Sequence, residues 1–215
     1  MVRRRSPVQS RSTAPLGKVL TFFVGTFFME MLIFMYTIYM PINQTLLKTI
    51  KNMYHVDQDI RDQVIGNKNL LLPLSQFGIS ESVGGKSKKK QPSLGSVLVY
   101  MIDQMHNARL RNIIRDYGYP KRKMLGIDGL HRFWLLIQHQ DFDVELQKNC
   151  LKECDFSLPD QAHLTDRICF NSGKKQVYGS LLLTSSRKEA QKNWPIENLA
   201  FLNKRRKKMG LGPLK

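Results

Sequence analysis

Acidic residues are scarce in this sequence: 17 Asp and Glu stand against 34 Lys and Arg, leaving a formal charge of +17. The surplus is gathered in clusters. Arg3, Arg4, Arg5 and Arg11 lie near the start, Lys86 and Lys88 to Lys90 in the middle, and residues 204–208 read KRRKK. Such clusters suit contact with anionic lipid, although solvated tails and a solvated helix face explain them as well. No aromatic residues are interleaved with these charges in a nucleic-acid-binding signature, so specific nucleic-acid recognition is not expected. Cysteine is scarcer still. Cys150, Cys154 and Cys169 are too few, and odd in number, for a disulfide framework. With His163 they form only a weak zinc pattern, so free buried thiols are expected and no metal site is assigned. The sequence also lacks a GxSxG elbow, an HExxH helix, a P-loop and a GxGxxG run. Nucleotide-cofactor and metalloprotease chemistry therefore have no support, and no cofactor is implied.

Long apolar runs are absent with one exception. After a basic tail at 1–18, residues 19–40 read VLTFFVGTFFMEMLIFMYTIYM, 22 residues with Glu30 as the one charged group. About 20 such residues cross a bilayer. Tyr36 and Tyr39 suit an interfacial belt, and no cleavage site follows, so the run is expected to be an uncleaved single-pass anchor. A buried amphipathic helix is the soluble alternative, and Glu30 supports it. The basic tail places the N-terminus in the cytoplasm by the positive-inside rule. It also has the composition of a mitochondrial targeting segment, which leaves a mitochondrial membrane open. Asn43 opens a sequon that abuts the membrane.

The remainder reads as one helical domain. Its first helix lies within 42–72, where Leu46, Leu47, Ile50, Met53, Tyr54, Ile60 and Val64 recur at helical spacing and Gly66-Asn67 stops the pattern. Residues 78–96 are a Lys/Gly/Ser-rich linker, and 97–215 form the main domain. A helix over 97–117, with Val97, Met101, Met105, Ala108 and Ile113 as apolar positions, ends at Gly118-Tyr119-Pro120. Further helices are expected over 159–171 and 197–209. QVYGSLLL at 176–183 has strand character, and a small β-hairpin is expected there. Between the 97–117 and 159–171 helices runs the stretch 133–154, FWLLIQHQDFDVELQKNCLKEC, which reads as one helix apolar on two sides. It carries His139, Asp141 and Asp143 at its centre.

Several short motifs occur in order: Asp57-Gln58-x-x-Arg61, Tyr117-Gly118-Tyr119-Pro120, Trp134-Leu135-x-x-Gln138-His139-x-Asp141, Leu164-Thr165-Asp166-Arg167, Gly173-x-x-Gln176-x-Tyr178-Gly179, Pro195-Ile196-Glu197 and Arg205-Arg206-x-x-Met209-Gly210-Leu211. Together they resemble an uncharacterised, largely bacterial family known only as a domain of unknown function. The resemblance spans roughly 46–215, interrupted by the linker; Tyr119 and Ser180 stand where that family usually has Trp and Thr. It implies a shared fold and no activity.

Candidate catalytic residues are His139, Asp141, Asp166 and Arg167, with Gln138, Gln176 and Tyr178 as candidate substrate contacts. His titrates near neutrality and serves as a general base when a carboxylate orients it. Arg167 suits an anionic group. On one helix, however, His139 and Asp141 point roughly 160° apart, so His139 with Asp143 is the better local pair. The plainer reading is that Asp166-Arg167 is a buried ion pair locking helices together and His139 a satisfied core residue. The expectation is thus a mainly α domain of four or five helices with a small β-hairpin, behind one N-terminal transmembrane helix. Two functions follow: a hydrolase-like enzyme with His139 as base, or a non-catalytic membrane-tethered interaction or scaffold domain.

Overall fold

The computed structural model describes residues 42–72, 92–181 and 195–214. The 1–18 tail, the expected anchor at 19–40 and most of the linker lie outside them. Among the described residues no helix is long and apolar enough to cross a membrane. Six α-helices carry the fold there, and no strand longer than a single bridge occurs.

Helix α1, Gln44–Gly66, starts at Asn43, whose side chain accepts from Leu46 N at 2.9 Å and satisfies one of the orphan amides of the first turn. Leu46, Ile50, Met53, Asp57 and Val64 form its buried stripe, so one carboxylate sits in line with the core residues. Helix α2, Leu94–Tyr117, opens on a Ser93/Ser96 capping box inside what the sequence suggests is linker. Gly95 lets α2 come close to α1: a Cβ there would meet Val64 Cγ1 at 2.5 Å. The face of α2 that turns inward is not the expected one. Met101 and Met105 are 57% and 68% exposed, while Ile102, Asp103, His106, Leu110 and Ile113 are buried. Asp103 is accepted inside because α1 presents Arg61 to it, and His106 faces Asp57 of α1 from 3.9 Å.

Helix α3, Arg122–Gln138, is interrupted at Gly126, whose φ of 70° favours glycine. Beyond that point it is the central element. It packs on α1 through Gly129, where a Cβ would meet Leu47 Cδ1 at 2.5 Å. Its other contacts are with α4, Val144–Glu153, and α5, Leu158–Asn171. Phe133, Leu136 and Ile137 are wholly buried there with Leu46, Ile50, Leu110 and Leu164.

The single helix expected over 133–154 is two helices. α3 ends at Gln138, residues 139–143 turn, and Asp143 caps α4 by accepting from Leu146 N at 3.1 Å. The carbonyls that α3 leaves open are taken by side-chain amides. Gln140 Nε2 donates to Leu136 O, and Gln147 Nε2 donates to Ile137 O and Gln138 O. No glycine or proline marks the break. Each helix buries its own face, Phe133, Leu136 and Ile137 in α3 and Leu146, Gln147 and Cys150 in α4.

The hairpin expected at 176–183 is also replaced. Gln176 makes one parallel bridge to Ile196, with Gln176 N donating to Pro195 O and Glu197 N to Gln176 O, both at 2.8 Å. The amides of Val177, Tyr178 and Ser180, which a hairpin partner would need, are bound by Asp166. Residues 182 and 183 lie outside the described residues. Helix α6 is shorter than expected, Leu202–Lys208, after a 3-10 turn at Leu199–Phe201. Arg205 and Arg206 in it are not solvated charges: they donate to the carbonyls of Val177, Asn198, Tyr178 and Gly212. All three cysteines are free, with Cys150 and Cys154 buried.

Candidate functional site

Asp57 is the centre of a polar cluster at the junction of α1, α2 and the 139–143 turn. Its side chain is 0% exposed, so every lone pair must be met from within the protein. Arg61, one turn on, donates from Nε and Nη2 at 3.0–3.2 Å. Gln58 Nε2 donates to Oδ2 at 2.7 Å. From 82 residues away in sequence, His139 Nδ1 lies 3.0 Å from Oδ2. Burial alone raises the Asp57 carboxyl, but the hydrogen bonds and charges of His139 and Arg61 outweigh it and hold the group well below the usual carboxylate range.

Two further groups join from α2. Arg61 Nη2 reaches Asp103 Oδ1 at 2.5 Å, so one guanidinium bridges both carboxylates. Burial pushes the Asp103 carboxyl up to about 6 against the pull of Arg61 and His139, with Asp57 and Asp141 adding to the rise. His106 Nδ1 lies 3.9 Å from Asp57 Oδ1 and has no hydrogen-bond partner. Burial lowers its pKa, against the opposing pull of the nearby Asp57 charge. Oxygens of Asp57 and Asp103 and a ring nitrogen of His139 lie within 4.8 Å of one another, a spacing that a cation would suit. The charge a cation would supply is already there as the Arg61 guanidinium, and Asp57 has its oxygens occupied. The donor set fits an arginine-bridged acid–base cluster better than a metal centre.

His139 closes α3 and is 15% exposed at its side chain. With Nδ1 on Asp57, Nε2 is the ring nitrogen left for a substrate. His139 lines an open cleft of about 390 Å³ with Ser96, Val99, Tyr100, Asp103, Asp141 and Phe142. Tyr100 and Phe142 stand edge to face there, 5.7 Å apart. His139 and Asp141 therefore do reach one cleft, because the helix that would have separated them ends at Gln138 and both lie on the turn that follows.

The other candidates divide. Asp141 is clamped by Arg167 through two parallel bonds of 2.6 Å and by Asn171 at 2.8 Å. Arg167 thus pairs with the turn and not with its neighbour Asp166. Asp143 binds Asn107 and Arg111 and caps α4, so it is no partner of His139. Gln138 takes part through its backbone carbonyl, which Gln147 satisfies. Asp166 is fully buried and holds a loop: it accepts from Val177 N, Tyr178 N, Ser180 N and Ser180 Oγ at 2.7–2.9 Å. Gln176 accepts from Leu181 N, and the Tyr178 carbonyl accepts from Arg206. These three residues form a separate anchor for the 176–181 segment.

A second imidazole–carboxylate pair, His131 with Asp160 at 3.1 Å, lies on another face beside Trp134. His131 is half exposed at its side chain, so solvent screens that pair. The residues that sequence reasoning leaves out of the site are Asp57, Arg61, Asp103 and His106. For the first pair a signal existed: an Asp in the apolar stripe of α1, four residues before an Arg, needs a partner inside.

Residues 87–215 match the model of a family of unknown function, DUF6624. The match begins later than the motif resemblance suggested, so Asp57 and Arg61 lie outside it. No curated protein and no solved structure matches the chain.

Proposed function

The chain belongs to that family of unknown function, DUF6624, and from the site we propose that it is a hydrolase-like enzyme in which His139 is the general base. The observation that carries this reading is the Asp57–His139 pair, 3.0 Å apart, with His139 on the wall of an open cleft. A buried carboxylate on Nδ1 fixes the tautomer and orientation of the ring and stabilises the imidazolium that forms when Nε2 takes a proton. Water in the cleft is the nucleophile that His139 activates. Arg61 keeps Asp57 ionised in its dry surroundings. Asp141, clamped by Arg167, holds the turn on which His139 sits.

Residues 19–40 tether this domain to a membrane with the N-terminus cytoplasmic, and the basic clusters meet anionic lipid. The apolar length of that run, 22 residues, supports the tether, while Lys204, Lys207 and Lys208 are exposed and available to headgroups. A second reading, a membrane-tethered interaction domain without catalysis, draws support from Met101 and Met105, which leave an apolar face of α2 in solvent.

The test is a substrate screen covering esters, amides, phosphate esters and glycosides with the full-length protein and His139→Ala. The expected result is turnover of one class that His139→Ala abolishes, with both proteins melting within a few degrees. Activity that survives His139→Ala would sink the reading.

A further inference from the structure

The Asp57–His139 pair supplies a base and leaves Asp103, a second carboxyl of the cleft wall beside the Arg167-clamped Asp141, without a role. Asp103 is 12% exposed at its side chain and lines the cleft together with His139. Arg61 holds its Oδ1, which leaves Oδ2 as the oxygen able to carry a proton toward a substrate. The charged groups around it are Asp57 and Arg61 from α1 and His139 and Asp141 from the turn, with His106 one turn away on its own helix. An oxygen of Asp103 lies within 4.8 Å of a ring nitrogen of His139.

We propose that Asp103 is the general acid of the hydrolysis that His139 begins, and that the bond cleaved is a carboxylic ester or amide. The proposal rests on the reading of His139 as base. The place of Asp103 and His139 side by side on one cleft wall selects the bond. In an in-line displacement the nucleophile and leaving group occupy opposite faces of the reacting atom. When water attacks a sugar carbon that way, the two catalytic groups stand about 6.5–9.5 Å apart. Attack on a carbonyl carbon passes through a tetrahedral intermediate, from which the leaving group departs beside the attacking oxygen. Neighbouring acid and base serve both steps.

His139 Nε2 takes a proton from water as the water oxygen bonds to the carbonyl carbon, and the π pair moves onto the carbonyl oxygen. When the intermediate collapses, the carbonyl re-forms. The C–O or C–N bond breaks with its electron pair going to the leaving atom, which receives the Asp103 carboxyl proton. The products are a carboxylic acid and an alcohol or amine. Return of the His139 proton to Asp103 through cleft water restores both groups. With its carboxyl pushed up to about 6 by burial, Asp103 holds its proton through weakly acidic pH and gives it up above about 6. The neighbouring Asp57, held low, carries none in that range. Tyr100 and Phe142 offer an apolar surface beside it for an acyl or leaving group.

The test compares the full-length protein with Asp103→Asn on three probes: 4-nitrophenyl butyrate, ethyl butyrate and 4-nitrophenyl phosphate. The phenolate leaves without a proton, whereas ethoxide needs one. The expected result is hydrolysis of both esters and not the phosphate. Asp103→Asn should lower kcat for the ethyl ester about 100-fold and that for the nitrophenyl ester less than about 3-fold. In the wild type, ethyl ester turnover should fall as pH rises through about 6, and that limb should vanish in Asp103→Asn. Asp103→Glu, which keeps the acid, should restore most of the ethyl ester activity and guards against a folding defect. Equal losses on both esters, or preference for the phosphate, would overturn the proposal while leaving His139 as base. A wild type inactive on both esters overturns the proposal as well, and the wider substrate screen then decides separately on His139 as base.

Discussion

Asp57 and His139 are separated by 82 residues of sequence, yet a carboxylate oxygen of one lies 3.0 Å from the ring nitrogen of the other. The contact does two jobs. It satisfies a buried charge, and it directs an imidazole toward a cleft. Substitutions that separate those jobs are the most informative.

His139→Gln keeps an amide near Asp57 and removes the base. Turnover of 4-nitrophenyl butyrate should drop at least about 100-fold, with a change in unfolding free energy of less than about 1.5 kcal/mol. Enzyme assay and urea unfolding on the same preparation measure both. A large loss of stability with no loss of activity would mean that the pair is structural only.

Asp57→Ala should behave in the opposite proportion. It leaves the Arg61 guanidinium facing one carboxylate instead of two and strips His139 of its orienting partner. Removing one member of a buried ion pair costs about 3–5 kcal/mol. Chemical denaturation should show that loss, accompanied by loss of turnover.

Asp166→Ala tests whether the second network is independent of the first. Four donors would lose their acceptor, three of them backbone amides. Each unsatisfied buried donor costs about 1–3 kcal/mol, so a loss above about 3 kcal/mol is expected. The folded fraction should keep its KM and kcat, because Asp166 does not line the His139 cleft. A change in kcat at full folding would place Asp166 in the mechanism after all.

Stability should respond to pH in two opposite ways. Asp57 has a folded pKa below its unfolded value of about 3.9. Its contribution is therefore present above about pH 4 and is lost as pH falls below that. Asp103 is shifted up to about 6, so the folded state holds its proton more tightly. The stability linked to that proton is complete below about pH 4 and is lost as pH rises to about 6. Asp103→Asn, neutral at every pH, should thus gain on the wild type between about pH 4 and 6 and hold the gain above. Denaturation midpoints across that range check it; a difference that stays flat would remove the shift.

The tether makes a simpler forecast. Full-length protein expressed in a bacterial host should stay in the membrane pellet after alkaline carbonate washing, and deletion of 1–41 should release it. Release of the full-length chain would contradict an anchor at 19–40.

Much of the helical outline was legible from periodicity and punctuation. The α1 stripe from Leu46 to Val64 and the stop at Gly118-Tyr119-Pro120 follow from side-chain spacing and from glycine and proline. What was not legible has one cause: polar side chains acting on the backbone. Gln140, Gln147 and Asp143 end one helix and begin the next, and Asp166 keeps three amides from pairing in a hairpin. Nothing about a glutamine at those positions announces which carbonyl it will meet. The inward face of α2 was missed for a related reason, since Met101 and Met105 are more apolar than Asp103 and His106. Partners on α1 decided the matter, and they lie some forty residues away. The site followed the same pattern: His139 and Asp141 line one cleft, and distant helices supply their partners.

The 139–143 turn is held from three directions: His139 by α1, Asp143 by α2 and Asp141 by α5. Those tethers close loops of 82, 32 and 26 residues. None is a local contact, and each needs a different helix to have docked before it can form. Refolding should therefore regain far-UV helical signal first and esterase activity last, with activity tracking the final phase of assembly. The order of arrival makes the cleft a reporter on completion: a chain that lacks any one of the three helices in place has no working site to expose.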